Sequence, residues 1–252
     1  MKIRWLFLAL LLVLPATAQA VPLTLAGFGD SITCDSCNDG SYFSHIGNYL
    51  AEAPIVDDNG ISGQLSSTVG SRLDTWITNG NTADFVIILS GTPDAYQAVG
   101  GFQNQPYIEA ETVGNISDML DAIFNAGMQA ILAAPPPIWT PTPCGGPAVL
   151  TCTTIDARLA SLATELSSLA TTAGVPFVNL YDAFMNDADI GEAPGTANSL
   201  FRGDGLHPRD NGDDLIAFEI ASAINAIPEP STGLLASLGL VVLCAGRRIR
   251  RA

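Results

Sequence analysis

The chain has 252 residues, 48% of them hydrophobic and 14% charged, with a formal net charge of −15. That length and apolar content suit one domain with one sizeable core. The acidic balance excludes a nucleic-acid surface and disfavours a strongly anionic polymer as substrate unless divalent cations bridge the two. Lys2 and Arg4 precede an apolar run over residues 5–14, and Ala18-Gln19-Ala20 supplies small residues for cleavage. This is the pattern of a secretory signal peptide over residues 1–20, with the mature chain starting near Val21. Between residues 21 and 227, 24 acidic side chains stand against four arginines, a formal charge near −20.

Short, nearly continuous runs of Ala, Val, Ile and Leu predict strands over residues 23–28, 54–56, 84–89, 128–133 and 175–180. Such runs suit strands buried on both faces of a parallel sheet. Helices are expected between them, over residues 41–53, 69–78, 109–126, 154–173 and 210–226. The third of these places Val113, Ile116, Met119, Leu120 and Ile123 near helical spacing, and the fourth repeats the stripe with Ile155, Leu159, Leu162, Leu166 and Leu169. Gly127 and Gly174 fall where each of these helices should stop. Strands alternating with helices predict an α/β three-layer domain over residues 21–227. Two stretches read as loops, the proline-rich segment from residue 135 to Cys152 and residues 186–201. The first follows the carboxyl end of a strand, where open α/β sheets place ligands.

Cys34, Cys37, Cys144 and Cys152 lie in the domain and Cys244 in the tail. An even count in an exported domain favours disulfides, and the local pairing Cys34–Cys37 with Cys144–Cys152 is the one expected. A zinc site is the weaker reading, because the second pair is eight residues apart and the chain has only two histidines.

Two short motifs carry chemistry. Gly29-Asp30-Ser31-Ile32 follows the first strand run, which would expose the Ser31 hydroxyl at the sheet edge; an ordinary Gly-Asp-Ser turn is the bland alternative. Asp204-Gly205-Leu206-His207-Pro208 precedes the last helix, and Pro208 keeps His207 extended. Asp204 can then accept from one imidazole nitrogen and leave the other to take the Ser31 proton. The alternative for this box is a surface turn capped by Asp204, with a solvated His207. His45 reads as a packed or half-exposed helix residue, and the Asn115-Ile116-Ser117 sequon as chance.

Taken together the two motifs resemble the SGNH (GDSL-type) hydrolase family, whose first block is Gly-Asp-Ser-Leu/Ile and whose last is Asp-x-x-His. The resemblance covers the whole domain. It implies a flavodoxin-like fold, with a parallel five-stranded sheet and helices on both faces. It also implies Ser31 as nucleophile, His207 as base and Asp204 as its partner, with no metal or organic cofactor. The family's glycine block is similar to Asn59-Gly60-Ile61-Ser62-Gly63, with Gly63 the matching oxyanion donor and Gly60 the alternative. The family's Gly-x-Asn-Asp block departs here to Gly91-Thr92-Pro93-Asp94. Pro93 has neither a side-chain amide nor a backbone N–H. Either Thr92, Ser90 or Asn104 supplies the missing donor, or the enzyme runs slowly on the Ser31 and Gly63 N–H groups alone, or the domain has lost hydrolysis and remains a carbohydrate-binding or matrix protein.

Beyond residue 227, Pro228-Glu229-Pro230 is followed by an apolar stretch over residues 234–245 and by Arg247, Arg248, Arg250 and Arg251. The stretch is shorter than the roughly 20 residues of a comfortable spanning helix. The triplet, apolar stretch and arginines over residues 228–252 resemble a PEP-CTERM sorting signal. That resemblance implies a Gram-negative cell envelope, an exosortase-type processing partner, transient membrane anchoring by the tail and an association with exopolysaccharide. A secreted monomeric esterase acting on an acylated polysaccharide or a lipid is the expected whole.

Overall fold

Five strands, β1 (Thr24–Gly29), β2 (Ile55–Gly60), β3 (Phe85–Leu89), β4 (Gln129–Ala134) and β5 (Phe177–Asn179), pair in parallel in the order β2-β1-β3-β4-β5. The computed structural model describes residues 22–37, 40–97, 106–139 and 152–227. Between the strands lie α1 (Phe43–Ile46), α2 (Ser66–Thr78), α3 (Thr92–Ala95), α4 (Glu109–Asn125) and α5 (Cys152–Ala173), and after β5 come α6 (Leu180–Asn186) and α7 (Asp210–Asn225). The strand order is flavodoxin-like. It reverses between β1 and β3, which places the ligand crevice beyond the carboxyl ends of those two strands.

Strand β3 shows why the sheet is buried on both sides. Phe85, Ile87 and Leu89 point to one face, where they meet α1, α6 and α7 through Phe43, Phe184, Ile216 and Ile220. Val86 and Ile88 point to the other, against Val69 and Leu73 of α2, Ile116 and Leu120 of α4, and Leu162 and Leu166 of α5. Each fully buried Ile or Leu of this kind contributes about 1.5–3 kcal/mol relative to exposure. The two apolar layers therefore fix the register of β1 and β3, and with it the place where both chains leave the sheet.

The sheet and the α/β alternation agree with the expectation, with local differences that have physical causes. Strand β2 runs on through Asp57, Asp58 and Asn59, which pair with Ala26, Gly27 and Phe28. These polar residues tolerate the strand because it is an edge and their side chains are engaged. Asp57 accepts from the Trp76 indole at 2.7 Å, and Asp58 from the N–H groups of Asp35 and Gly60 at 2.7 and 2.8 Å. The helix expected over residues 41–53 is a single turn, α1. Past Gly47 the N–H groups of Asn48 and Tyr49 bond three residues back, and the segment dissolves into turns before Pro54. Helix α6 replaces the last residue of the expected fifth strand. The Asn179 side chain accepts from Asp182 N–H at 3.1 Å and starts the helix there. The expected loop over residues 186–201 contains a 3₁₀ turn, Ala188–Gly191, capped by Asp187.

Cys34 and Cys37 lie side by side with Cα atoms 5.3 Å apart, a disulfide spacing. Cys144 lies outside the described residues, as do the signal-peptide segment and the tail. Among the described residues no helix is long and apolar enough to cross a membrane.

Candidate active site

Ser31 sits in a turn directly beyond β1. Asp30 O accepts from Cys34 N–H at 3.2 Å, and Asp30 Oδ1 from Ile32 N–H at 3.0 Å, so the chain doubles back around the serine. The segment after Ser31 is this turn and a 3₁₀ turn, Asp35–Cys37, before α1 begins. Ser31 is 8% exposed.

The Asp204–His207 box lies at the tip of a small antiparallel excursion before α7. Phe201 and Pro208 form a bridge, Arg202 N–H bonds His207 O at 2.8 Å, and Arg209 N–H bonds Leu200 O at 3.0 Å. The two Asp204 oxygens divide the work. Oδ1 accepts from the backbone N–H groups of Leu206 and His207 at 2.9 and 3.0 Å, and Oδ2 lies 2.7 Å from His207 Nδ1. One Asp204 side chain therefore caps the turn and contacts the imidazole of His207, whose side chain is 19% exposed rather than solvated. His207 Nε2 in turn lies 2.9 Å from Ser31 Oγ, across 176 residues of sequence.

Burial alone would raise the Asp204 carboxyl. The imidazole of His207 and the N–H groups of His207 and Leu206 outweigh it and hold the group at about 2. An ionised Asp204 makes Nδ1 the imidazole donor, which leaves Nε2 to accept from the Ser31 hydroxyl. An imidazole placed so can take a proton from an attacking alcohol and return it to a leaving group.

Gly63 occupies the turn after β2 with φ +73°, a conformation that favours glycine. Ile61 O accepts from Gln64 N–H across it at 3.4 Å. Gly60 has a different reason to be glycine. A Cβ there would overlap the backbone of Cys34, just past the serine turn. Thr92 and Pro93 are the first two residues of α3 and both are buried. A proline in the first helical turn forfeits no intrahelical hydrogen bond, which explains why the fold accepts it. Thr92 is 5% exposed and its Oγ1 has no partner among the described residues; Ser90 Oγ is likewise unpartnered. Asn104 lies outside the described residues. His45 is on α1, where Nδ1 lies 3.5 Å from Asp214.

Asp94 and Asp30, which stand in the quoted blocks without an assigned role, and Arg72, which stands in none, lie beside these segments. Asp94, 4% exposed, accepts from Ser66 N–H at 2.9 Å, Ser66 Oγ at 2.7 Å and Thr112 Oγ1 at 3.3 Å. Arg72 donates to Gly29 O at 3.0 Å and also to Asn59 O, tying the ends of β1 and β2 together. Asp30 is 1% exposed, and its Oδ2 has no partner among the described residues. Burial pushes its carboxyl up to about 7 against the pull of Ile32 N–H, and the nearby Asp94 adds to the rise. The signal for Arg72 was its rarity as one of four arginines in the domain. Among the described residues, no group of three or more His, Cys, Asp or Glu is placed to hold a metal ion.

A search of curated protein sequences returns no match. Solved structures do match. A lipase/acylhydrolase from Enterococcus faecalis is 21% identical with a TM-score of 0.60, covering 80% of this chain and 95% of its own. An acetyl xylan esterase, AlAXEase, is 16% identical with a TM-score of 0.64, covering 80% and 100%. A carbohydrate acetylesterase from Sinorhizobium meliloti is 15% identical with a TM-score of 0.59, covering 81% and 99%. At these identities the likeness is one of fold. The PEP-CTERM protein-sorting motif matches residues 226–251, which implies export to a Gram-negative cell envelope and processing by an exosortase. The GDSL-like lipase/acylhydrolase family matches residues 28–215, a span that runs from the end of β1 into α7, and the chain belongs to that family.

Proposed function

We propose that this chain is a secreted serine esterase that hydrolyses a carboxylic ester through an acyl-enzyme. The observation that carries the reading is the unbroken line from Ser31 Oγ to His207 Nε2 at 2.9 Å and from His207 Nδ1 to Asp204 Oδ2 at 2.7 Å. Ser31 Oγ attacks the ester carbonyl carbon while its proton passes to His207 Nε2. The carbon–oxygen bond to the alcohol then breaks, and His207 returns the proton to the departing alkoxide. Water attacks the acyl-enzyme by the same route, releasing the acid and restoring Ser31. Asp204 holds the imidazole in the required tautomer throughout. The N–H groups of Ser31 and Gly63 stabilise the oxyanion, and the Thr92 hydroxyl supplies the donor that Pro93 lacks.

The substrate class is an O-acyl group on an envelope polysaccharide, with a lipid ester as the alternative. Two things support the polysaccharide: the sorting motif, and fold neighbours named as an acetyl xylan esterase and a carbohydrate acetylesterase. In this reading residues 1–20 are removed on export, residues 21–227 form the working domain, and residues 228–252 anchor it transiently before processing. A fluorophosphonate that labels the wild-type protein and not Ser31→Ala tests the nucleophile without requiring the natural substrate. Labelling that survives Ser31→Ala would sink the assignment.

Pro93 favours a second reading, a carbohydrate-binding protein on the same fold that does not turn over. Glycan binding unchanged in Ser31→Ala, without phosphonate labelling of the wild type, would support it over the first.

A further inference from the structure

The few cations of this domain are all engaged within it. Residues 22–227 contain four arginines, two histidines and no lysine, against 24 acidic side chains. Arg72 donates to the carbonyls of Gly29 and Asn59. Arg158 donates to Ala95 O at 2.7 Å and Gln97 O at 3.0 Å, and its guanidinium lies 4.7 Å from the centre of the Tyr107 ring. Arg202 Nε donates to Pro208 O at 2.8 Å, and Arg209 to Gly195 O at 2.7 Å and to Thr196 O. His207 faces Asp204, and His45 faces Asp214.

For three of the four arginines, one of these carbonyls lies on a chain segment that builds the site. Gly29 is two residues before Ser31, Ala95 closes the α3 turn begun by Thr92, and Pro208 follows His207. Arg72, Arg158 and Arg202 thus act as staples for site loops. An ester bearing a carboxylate, phosphate or sulfate would meet no uncommitted arginine among the described residues, and the undescribed internal segments contain no lysine or arginine. It would also approach against the field of the surrounding carboxylates.

We infer that the site serves electrically neutral acyl esters, such as O-acetyl groups on uncharged sugars, and discriminates by charge against anionic ones. This rests on the serine-esterase reading and narrows it: acidic polysaccharides and anionic lipids are poor substrates even when their acyl group is the right one. The selection is long-range and electrostatic, so it weakens as salt shortens the Debye length from about 30 Å at 0.01 M to about 3 Å at 1 M.

A matched pair of substrates tests it, an O-acetylated methyl glucoside and the O-acetylated methyl glucuronoside that differs by a carboxylate. The expected result is a kcat/KM at least about tenfold higher for the glucoside at 10 mM salt, with the gap narrowing toward 1 M. Asp210→Lys introduces a cation three residues beyond His207, outside the proposed machinery, and should narrow the low-salt gap while leaving the neutral rate unchanged. Equal rates at low salt, or a preference for the glucuronoside, overturn the inference and leave the esterase reading standing. A matched pair of neutral and carboxylate-bearing fluorophosphonates reads the same discrimination as rates of Ser31 labelling, independent of sugar fit. Equal labelling rates overturn the inference. No labelling by either reagent overturns the nucleophile assignment, and the inference with it.

Discussion

Asp94 accepts both the backbone N–H and the hydroxyl of Ser66, at 2.9 and 2.7 Å, and so locks the α3 segment to the start of α2. The first of these segments carries Thr92 and Pro93, and the second follows the turn that holds Gly63. Asn115 donates to the same Ser66 hydroxyl at 2.9 Å, which brings α4 into the junction. Two of the three proposed oxyanion segments are therefore tied together at one buried carboxylate.

Removing that carboxylate should loosen both segments together. Asp94→Ala leaves the Ser66 N–H and the Ser66 and Thr112 hydroxyls without this acceptor in a buried site, a loss of about 2–4 kcal/mol. Thermal unfolding should report it. Activity at a temperature where the variant is folded should fall mainly in kcat, since the oxyanion donors matter most in the transition state. Asp94→Asn keeps one acceptor oxygen and should lie between the two. A fully folded Asp94→Ala with unchanged kcat would show that the junction does not position the donors.

How far the sequence discloses this arrangement depends on the range of the contacts. The buried strands are legible because runs such as Phe85–Leu89 have nowhere to go but a covered sheet. Ser31, Asp204 and His207 are legible because each sits in a short local motif. The polar stretch Asp57–Asn59 hides an edge strand, because its pairing with β1 and its side-chain partners appear only in three dimensions. The contacts of Arg72 and Asp94 are hidden for the same reason. Their partners Gly29 and Ser66 are 43 and 28 residues away, and neither spacing forms a pattern.

Asp204→Asn should separate orientation from turn formation. Asparagine keeps an Oδ1 that can accept from Leu206 and His207 N–H, so the excursion around His207 survives. Its amide would face His207 Nδ1 with a donor and favour the wrong tautomer. We expect kcat to fall by about 10³–10⁴-fold in a variant that still folds, with some thermal stability lost along with the charge that holds Asp204 at about 2. Because Asp204 is held at about 2, the wild-type group stays ionised throughout pH 5–8. The deficit should therefore be similar across that range. A loss that vanished at either end would contradict the orienting role.

Stability should decline between about pH 4 and pH 7. Asp30 is raised to about 7 by burial, opposed by Ile32 N–H. Asp213 is also raised to about 7 by burial, opposed by Arg202, with Asp210 and Asp35 adding to the rise. Between the unfolded value near 3.8 and about 7, the folded chain retains protons that the unfolded chain has released, so unfolding gains ground as pH rises. Asp58 and Asp94 are shifted in the same direction. Asp204 has the opposite sign, but its stabilisation is lost only as pH falls below about 4 toward 2. Urea midpoints at pH 5 and pH 8 should differ, with the lower midpoint at pH 8. Asp30→Asn should reduce that difference, and an unaltered difference would exclude Asp30 as a source.

The donor opposite Pro93 can be identified by restoring one and removing another. Pro93→Asn returns a side-chain amide to the position where the family carries one. If an oxyanion donor is missing, kcat should rise by up to about 10²-fold with little change in KM. Thr92→Val removes the hydroxyl proposed in its place while keeping the shape. That hydroxyl is buried and unpartnered among the described residues, so its loss should leave stability unchanged or raise it slightly. A donor used only in the transition state should nevertheless cost about 10- to 10³-fold in kcat. The pairing of lower kcat with undiminished thermal stability is what separates a transition-state donor from a packing residue. In the double variant, Pro93→Asn should restore most of what Thr92→Val removes. If Thr92→Val retains full kcat and Pro93→Asn gains nothing, the oxyanion is held by backbone N–H groups without help from the α3 segment.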